Sequence, residues 1–279
     1  FTTKGFGLDL AYVEYSPAAA EGLRLVAGKM KLPFAVVQKT ELVWDGDLNP
    51  EGMSLGFKRG LSSTVDLFAN AAWLSIVERG EEDDTWVAGG QAGFAVKPSD
   101  EVRVMLGGSW YGYENVKGNK PFYGGKFFGN TKSNFRSSPS DTIGYDGYAL
   151  EYALFEVLGE IGVKVDKLSL AVYGNYVTNT EADSLNTGYL VGAALTRGKG
   201  KGAVSLYGNY RKLEADAVLG VFTDSDFIGG GTDGSGVEVG LAFKPADKVE
   251  LAGTALVNRK GIEQEVDFNR FQLDVQVKF

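Results

Sequence analysis

The chain ends with the stretch that decides its fold, which is Arg270-Phe271-Gln272-Leu273-Asp274-Val275-Gln276-Val277-Lys278-Phe279. Apolar and polar side chains alternate along it, so a strand formed by these residues has one apolar and one polar face. Such a strand lies between an apolar medium and water. The same period of two recurs through most of the chain and predicts an all-β protein.

About thirteen segments repeat this alternation, and many are roughly 10–12 residues long, the length that a tilted membrane-spanning strand requires. Clear examples are residues 8–12, 53–57, 102–110 and 168–172. We therefore expect one transmembrane antiparallel β-barrel over residues 1–279. Residues 145–165 are predicted to form a single strand with a bulge, because the apolar parity shifts between Leu154 and Val157.

The composition excludes several classes of protein. The 279 residues include no His and no Cys, so imidazole bases, thiolate nucleophiles, disulfides and Cys- or His-based metal sites are excluded. The net charge of -8 argues against nucleic-acid binding. No apolar run approaches the roughly 20 residues of a membrane helix. We expect no enzyme, cofactor or metal site, although hydrolysis by carboxylates alone stays open.

Short and long connections alternate along the chain. The short ones are residues 16–21, 60–63, 97–101, 166–167, 198–202 and 245–248, and the long ones are 31–51, 79–84, 114–144, 179–186, 214–236 and 258–266. Short turns on one rim and long loops on the other are typical of outer-membrane barrels. The glycine-rich segment 229–236 is predicted to be part of a flexible external loop.

Aromatic residues with outward parity are predicted to form two girdles at the membrane surfaces. The girdle at the long-loop rim would contain Trp73, Trp86, Trp110, Tyr148, Tyr176, Tyr189 and Tyr210, and the girdle at the short-turn rim would contain Tyr12 and Phe279. Ordinary cross-strand aromatic packing is the alternative explanation for these positions.

Charged residues with inward parity are predicted to line the lumen. The cations are Arg24, Lys58, Arg103, Arg211 and Arg270, and the anions are Asp9, Asp66, Glu151, Glu238 and Asp274. Opposed charges across a pore sort solutes by charge and dipole. Alternatively, these residues form a charge-paired lumen that only stabilises the barrel. The inward Tyr111, Tyr173 and Tyr207 could form the stacking ladder of a substrate-specific channel.

The direction of the strands bears on the total strand number. Bacterial single-chain barrels have even strand numbers and periplasmic termini. If the last strand runs towards the periplasm, an odd total of about thirteen strands makes the first strand run the same way. We therefore expect an odd number of further strands before Phe1.

Two internal runs resemble the "putative porin" family of Gram-negative bacteria. They are Gly28-Lys29-Met30-Lys31-Leu32-Pro33-Phe34 and Trp44-Asp45-Gly46-Asp47-Leu48-Asn49-Pro50-Glu51-Gly52. The terminal Phe279 resembles the signal that outer-membrane assembly machinery recognises in porins. The resemblance implies about sixteen strands in the full protein. It also implies that residues 31–51 fold into the lumen, with Asp45, Asp47 and Glu51 on the acidic side of a constriction.

The resemblance further implies the function and location of the protein. We expect an integral outer-membrane porin, in contact with lipid and lipopolysaccharide, that passes small hydrophilic solutes and associates as a homotrimer. A substrate-specific channel is one alternative, and a structural or partner-binding barrel with a plugged lumen is another. The aromatic residues of loop 114–144 would pack on a neighbouring subunit or into the pore mouth.

Overall fold

The computed structural model describes residues 7–38, 40–80, 83–138, 140 and 142–278. The strands are β1 Ala11–Tyr15, β2 Leu23–Lys29, β3 Glu51–Gly60, β4 Val65–Val77, β5 Thr85–Val96, β6 Val102–Glu114, β7 Lys132–Phe135, β8 Tyr145–Tyr148, β9 Ala153–Val165, β10 Leu168–Asn179, β11 Thr187–Arg197, β12 Val204–Leu213, β13 Gly234–Ala246, β14 Val249–Lys260 and β15 Val266–Val277. One short 3-10 turn, Phe227–Gly229, precedes β13. No helix in these residues has the length and apolar character needed to cross a membrane.

Thirteen of the strands form one antiparallel sheet in chain order, from β1 to β6 and then from β9 to β15. The strands β7 and β8 form a separate hairpin. Each sheet strand pairs only with its neighbours in this order, so β1 and β15 are the two edges among the described residues. The prediction of an all-β antiparallel fold with about thirteen sheet strands is confirmed.

The two faces of the sheet differ in polarity, as the alternation requires. Residues directly opposite one another lie on the same face, and Trp110 is opposite both Gly90 on β5 and Phe155 on β9. Trp110 and Phe155 are exposed, whereas Tyr111 and Leu154 on the other face are buried. We call the exposed apolar face the outer face and the opposite face the inner face. A continuous exposed apolar band is typical of contact with lipid.

Three long connections cover the inner face. They are the first inner loop (residues 30–50), the connection from β6 to β9 (residues 115–152) and the second inner loop (residues 214–233). The sheet curves around these connections, so that one loop reaches two distant strands. Phe222 stacks on Tyr113 of β6 at 6.4 Å, and Asp226 contacts Arg270 of β15 at 2.8 Å. The hydrophobic core therefore lies inside the curved sheet, between strands and loops.

Two predictions about these connections are wrong. The glycine-rich segment 229–236 is not an external loop, because Gly230, Gly231 and Thr232 are buried and its last three residues belong to β13. The stretch 145–165 is not one bulged strand, because residues 145–148 pair with residues 132–135 and only β9 joins the sheet. Period-two alternation does not distinguish a strand of a loop hairpin from a strand of the main sheet.

Candidate functional site

The first inner loop lies against the inner face of β5, where one side chain holds its backbone. Gln91 accepts the N–H of Ala35 at 2.7 Å through Oε1 and donates to the Ala35 carbonyl at 2.9 Å through Nε2. The ring of Phe34 lies directly over Gly89, where a Cβ would overlap it. Backbone hydrogen bonds and a close ring contact thus fix this part of the loop to the strand.

An aromatic cluster joins the first inner loop to the rest of the interior. The buried Trp44 is 5.4 Å from Tyr111 and 6.1 Å from Tyr113, both on β6, measured between ring centroids. It is also 5.8 Å from Phe222 of the second inner loop. Ring pairs at these distances add to the free energy gained by burial. Trp44 is therefore the hub between the two inner loops.

Buried polar side chains fix the second inner loop. Asp216 accepts hydrogen bonds from the Thr131 N–H at 2.9 Å, the Thr131 hydroxyl at 2.5 Å and the Tyr152 hydroxyl at 2.9 Å. Asn130 donates to the carbonyls of Ala215 and Val218 and accepts from Gly220 N–H. A buried carboxylate with several donors is held firmly, because each lost bond leaves a buried polar group unpaired.

The two inner loops are hydrogen-bonded to each other. The Asp45 N–H donates to the Phe222 carbonyl at 2.7 Å, and the Asp45 carboxylate accepts the Ser225 N–H at 3.0 Å. The Thr223 hydroxyl lies 2.9 Å from the Glu41 carbonyl and 3.0 Å from that of Leu42. The loops therefore form one unit inside the sheet.

A cavity of about 260 Å³ with an acidic lining lies between this unit and the strands β12–β15. We call it the acidic basin. Its lining residues are Glu41, Asp45, Asp47, Tyr207, Asp224, Ser225, Asp226, Glu238, Thr254, Leu256, Gln272 and Asp274. Two arginines contact these carboxylates: Arg211 lies 2.8 Å from Asp224, and Arg270 lies 2.8 Å from Asp226. Seven carboxylates face two guanidinium groups, so the basin has a negative potential.

The Glu41 carboxyl group differs from the rest of the basin in its proton affinity. Burial, followed by the nearby carboxylates of Asp224 and Asp45, raises the pKa of Glu41 from 4.5 to about 7. The Gly46 N–H, which donates to Glu41 Oε1 at 3.1 Å, opposes this shift only in part. The charge of the basin therefore changes by one unit near neutral pH.

A second cavity, of about 440 Å³, lies on the side of β2–β6, beneath Pro33 and Ala35 of the first inner loop. We call it the basic cavity. Its charged lining residues are Arg24, Lys58, Asp66 and Arg103. Three cations and one carboxylate give this wall a positive potential, opposite in sign to that of the acidic basin.

Most residues predicted to line the pore lie on the inner face. Arg24, Lys58, Asp66 and Arg103 line the basic cavity, and Glu238 and Asp274 line the acidic basin. Arg211 and Arg270 contact basin carboxylates. Asp9 lies just before β1 and accepts a hydrogen bond from Asn49 at 2.6 Å. Whether these residues affect conduction stays a prediction.

Two predicted acidic positions lie elsewhere. Glu151 is not on a strand of the sheet but in the segment between β8 and β9, where it accepts the Val116 N–H at 3.1 Å. Glu51 begins β3 and lies 3.9 Å from Lys29, apart from the acidic basin that Asp45 and Asp47 line. Glu151 therefore stabilises a loop, and Glu51 does not belong to the acidic group of the first inner loop.

The predicted aromatic girdle needs two corrections. Tyr148 is fully buried, because it belongs to the hairpin β7–β8 and packs against Phe122 and Phe127 at about 5 Å between centroids. Tyr12 is in phase with Glu14, which pairs with Arg24 at 3.6 Å, so it lies on the inner face.

The other girdle residues are Trp73, Trp86, Trp110, Tyr176, Tyr189 and Tyr210, all on the outer face. Phe279 lies outside the described residues.

A buried acid was missed. Glu156 on β9 accepts hydrogen bonds from the Ser109 hydroxyl at 2.8 Å, the Tyr111 hydroxyl at 3.0 Å and Asn175 Nδ2 at 2.8 Å. Ser109 in turn accepts from Gln91, which holds the first inner loop. The outward Phe155 and Val157 on either side of Glu156 were the signal that could have placed it inside.

The tyrosine ladder proposed from the sequence does not form. Tyr111 is buried under Phe34 and Trp44, and Tyr173 is also buried. Tyr207 lines the acidic basin, where its hydroxyl donates to Glu238 at 2.6 Å. These three tyrosines therefore do not form a row of solvent-facing rings along which a sugar could bind. Within the described residues, no group of three or more potential ligands is placed to hold a metal ion.

The sequence model of a family described as "putative porin" matches residues 1–133 and 191–279, which is more than half of the chain. No curated protein sequence matches the chain.

Among solved structures, the chain is similar to Wzi, described as a carbohydrate-binding outer-membrane β-barrel involved in group 1 capsule assembly in Escherichia coli. The TM-score is 0.60 at 13% identity, covering 96% of this chain and 62% of that chain. This likeness shows the fold of an outer-membrane β-barrel, and the chain spans less than two thirds of that structure's length. LpxR from Salmonella typhimurium matches at a TM-score of 0.34 and 11% identity, covering 82% of this chain and 88% of that one, too low to support a conclusion.

Proposed function

The chain belongs to the "putative porin" family, and we propose that it forms a water-filled outer-membrane channel for the passive diffusion of small hydrophilic solutes and ions. The observation that supports this most directly is the pair of cavities inside the curved sheet, one acidic and one basic. A solute on this path would be sorted by size and charge, and no bond in it would be broken.

The separation of charge across the interior supports electrostatic filtering. Carboxylates lie on the inner loops and on β13 and β15, whereas the cations of the basic cavity lie on β2, β3 and β6. Opposite walls of opposite sign create a field across the lumen that orients water and dipolar solutes. Because the acidic basin has the larger excess of charge, we propose that small cations pass in preference to small anions.

The rival function is a plugged barrel that binds a partner. The packing of Trp44 and Phe222 between the inner loops and β6 is the observation that favours it, because it closes part of the lumen. The barrel of known structure that this fold resembles is described as carbohydrate-binding. Conductance separates the two proposals, since a plugged barrel would carry no current.

The outer face supports the proposed location in the bacterial outer membrane. Its exposed apolar residues include Leu106, Val157, Leu241 and Leu273, and rings such as Trp73 and Tyr189 lie on the same face. Aromatic rings on the lipid-facing side of a barrel prefer the membrane-water interface. We also propose contact with lipopolysaccharide and assembly as a homotrimer, which cross-linking of the native membrane protein would test.

The decisive experiment is single-channel recording from the full-length protein in a planar bilayer, with a salt gradient across it. We expect stable conductance steps and a reversal potential that indicates cation preference. The double variant Glu238→Gln with Asp274→Asn should reduce that preference, because it removes two basin charges. The control Glu263→Gln, at an exposed residue in the connection between β14 and β15, should not change it. A folded, heat-modifiable barrel without conductance would overturn the proposed function.

A further inference from the structure

The basic cavity combines a group of cations with an apolar floor. The lining of a passive diffusion pore does not need this combination. We propose that it is a subsite for organic anions that combine a carboxylate with a flat apolar body, such as an aromatic carboxylate. This inference rests on the proposed function in one respect, because it takes the cavity to be part of a solute path.

The cations of the cavity are only partly neutralised. Arg24 lies 3.6 Å from Glu14, and Arg103 lies 3.7 Å from Glu160, while about half of each arginine side chain remains exposed. Lys58 makes no ion pair with any residue that the structure describes. A carboxylate entering the cavity would meet guanidinium and ammonium donors, which form the stronger, charge-assisted hydrogen bonds.

Apart from Glu14 and Glu160, which pair with the two arginines, few carboxylates lie near these cations. Asp66 is the single acid in the described lining, and it lies 4.0 Å from Lys97 beside the neighbouring short turn. With Asp66 included, the charged lining still has an excess of two positive charges. The cavity is therefore suited to one or two negative charges on a solute.

The floor of the cavity is apolar and flat. The Phe68 ring lies across Gly93 and Gly107, and a Cβ at Gly93 would overlap it. Two glycines on adjacent strands thus allow the ring to lie against the sheet. Pro33 and Ala35 form the roof, and Met105 lines one side. A planar hydrocarbon group between Phe68 and Pro33 would remove apolar surface from water.

These features together define the class of ligand. An inorganic anion would satisfy the cations but leave the apolar floor and roof in water, and a neutral ring would do the reverse. The volume of about 440 Å³ lies within the range usual for small-molecule sites. The first inner loop separates the cavity from the acidic basin, whose carboxylates repel anions. The ligand would therefore enter from the rim of the short turns, near Lys58 and Asp66.

The test measures benzoate binding to the full-length, detergent-folded protein by isothermal titration calorimetry, with benzamide and acetate as comparison ligands. We expect benzoate to bind at least tenfold more tightly than either, since benzamide lacks the charge and acetate lacks the ring. One charge-assisted contact changes the dissociation constant by about tenfold. The variant Lys58→Gln should weaken benzoate binding several-fold. The matched control Lys244→Gln, which removes an inner-face lysine paired with Glu250 outside this cavity, should not.

Each outcome is decisive without relying on one variant. Equal binding of benzoate and benzamide, or of benzoate and acetate, would overturn the subsite even if Lys58→Gln fails to fold. An equal loss of affinity in Lys244→Gln would do the same. Conductance without selective benzoate binding would reject the subsite and leave the proposed function intact. Selective binding without conductance would support the subsite and reject the diffusion pore.

Discussion

The two inner loops occupy the same interior, but different contacts hold them there. The second inner loop depends on two buried polar anchors that tie it to the connection between β6 and β9. Asp216 of the loop accepts from Thr131 and Tyr152 of the connection, and Asn130 of the connection bonds to the loop backbone. The first inner loop is held by Gln91, by aromatic packing around Trp44 and by hydrogen bonds to the second loop itself. The position of the first inner loop therefore depends on the second inner loop, whereas the second is anchored independently of the first.

This difference shows that burial of a barrel loop does not follow from an apolar sequence. The second inner loop contains Asp, Thr, Ser and a run of glycines, yet most of its residues are buried. Polar residues are stable there because buried partners satisfy them, whereas solvated loops need no such partners. The first three of the four predictions below test whether the two loops have this order of dependence, and the fourth tests the charge of the acidic basin.

The largest effect is expected from Asp216→Ala. Its removal leaves two donors on Thr131 and the buried Tyr152 hydroxyl without an acceptor, which should lower the free energy of unfolding by about 4 kcal/mol. Urea unfolding of the detergent-folded barrel measures this loss. Both loops should loosen, so channel noise should rise as well. The control Asp183→Ala, on an exposed loop residue, should cost little. Equal stability of the two variants would contradict the anchoring role.

Trp44→Ala should have the next largest effect, because the ring fills the space between both loops and β6. We expect a loss of about 3 kcal/mol in unfolding free energy, as for other large-to-small changes in a packed interior. Conductance should increase, since the two inner loops lose the ring that packs between them and become more mobile. Trp110→Ala removes an equal volume from the outer face and should leave the conductance of the open channel unchanged. A similar conductance in both variants would show that Trp44 is not the hub.

Gln91→Ala should affect the first inner loop alone. The variant loses two hydrogen bonds to Ala35 and those to Asn70 and Ser109, at a cost of about 2 kcal/mol. Limited proteolysis within residues 30–50 should become faster, while residues 214–233 stay protected. The comparison variant is Gln276→Ala, at an exposed inner-face position of β15. Cleavage of both loops together would refute the proposed order of dependence.

The smallest effect is a pH dependence of ion preference. Because the pKa of Glu41 is raised to about 7, its carboxyl is neutral below that pH and charged above it. Cation preference should therefore increase as pH rises from about 6 to about 8. The stabilising effect of the neutral carboxyl is present at low pH and is lost as pH rises through about 7.

Reversal potentials of the wild type and Glu41→Gln at several pH values measure this effect. The variant should show a flat profile across the window, and Glu263→Gln should behave as the wild type does. A wild-type profile without a step near neutral pH would show that Glu41 does not titrate in the channel.

The inner and outer faces were predictable because alternation is a property of neighbouring residues. Arg24, Lys58, Arg103, Glu238 and Asp274 were assigned to the inner face, where the pairing register places them. Tyr12 was misplaced because the irregular residues before β1 break the alternation. Tyr148 was misplaced because it lies on a short hairpin with its own alternation.

The interior could not be predicted in the same way. Asn130 and Ala215 are 85 residues apart in sequence, and nothing in either segment alone indicates their contact. The same holds for Asp45 and Phe222, and for the grouping of carboxylates into one basin. Charges that look evenly distributed along the strands become separated only when the sheet curves.

The sequence by itself determined an all-β chain, the two faces of its strands, the membrane-facing apolar band and the absence of His and Cys chemistry. These properties depend on local period and composition, which folding cannot alter. The tertiary structure alone decided which loops enter the interior, how they depend on each other, and where the acidic basin and the basic cavity form. The physical reason is that buried polar groups must find partners, and only the folded chain brings distant partners together.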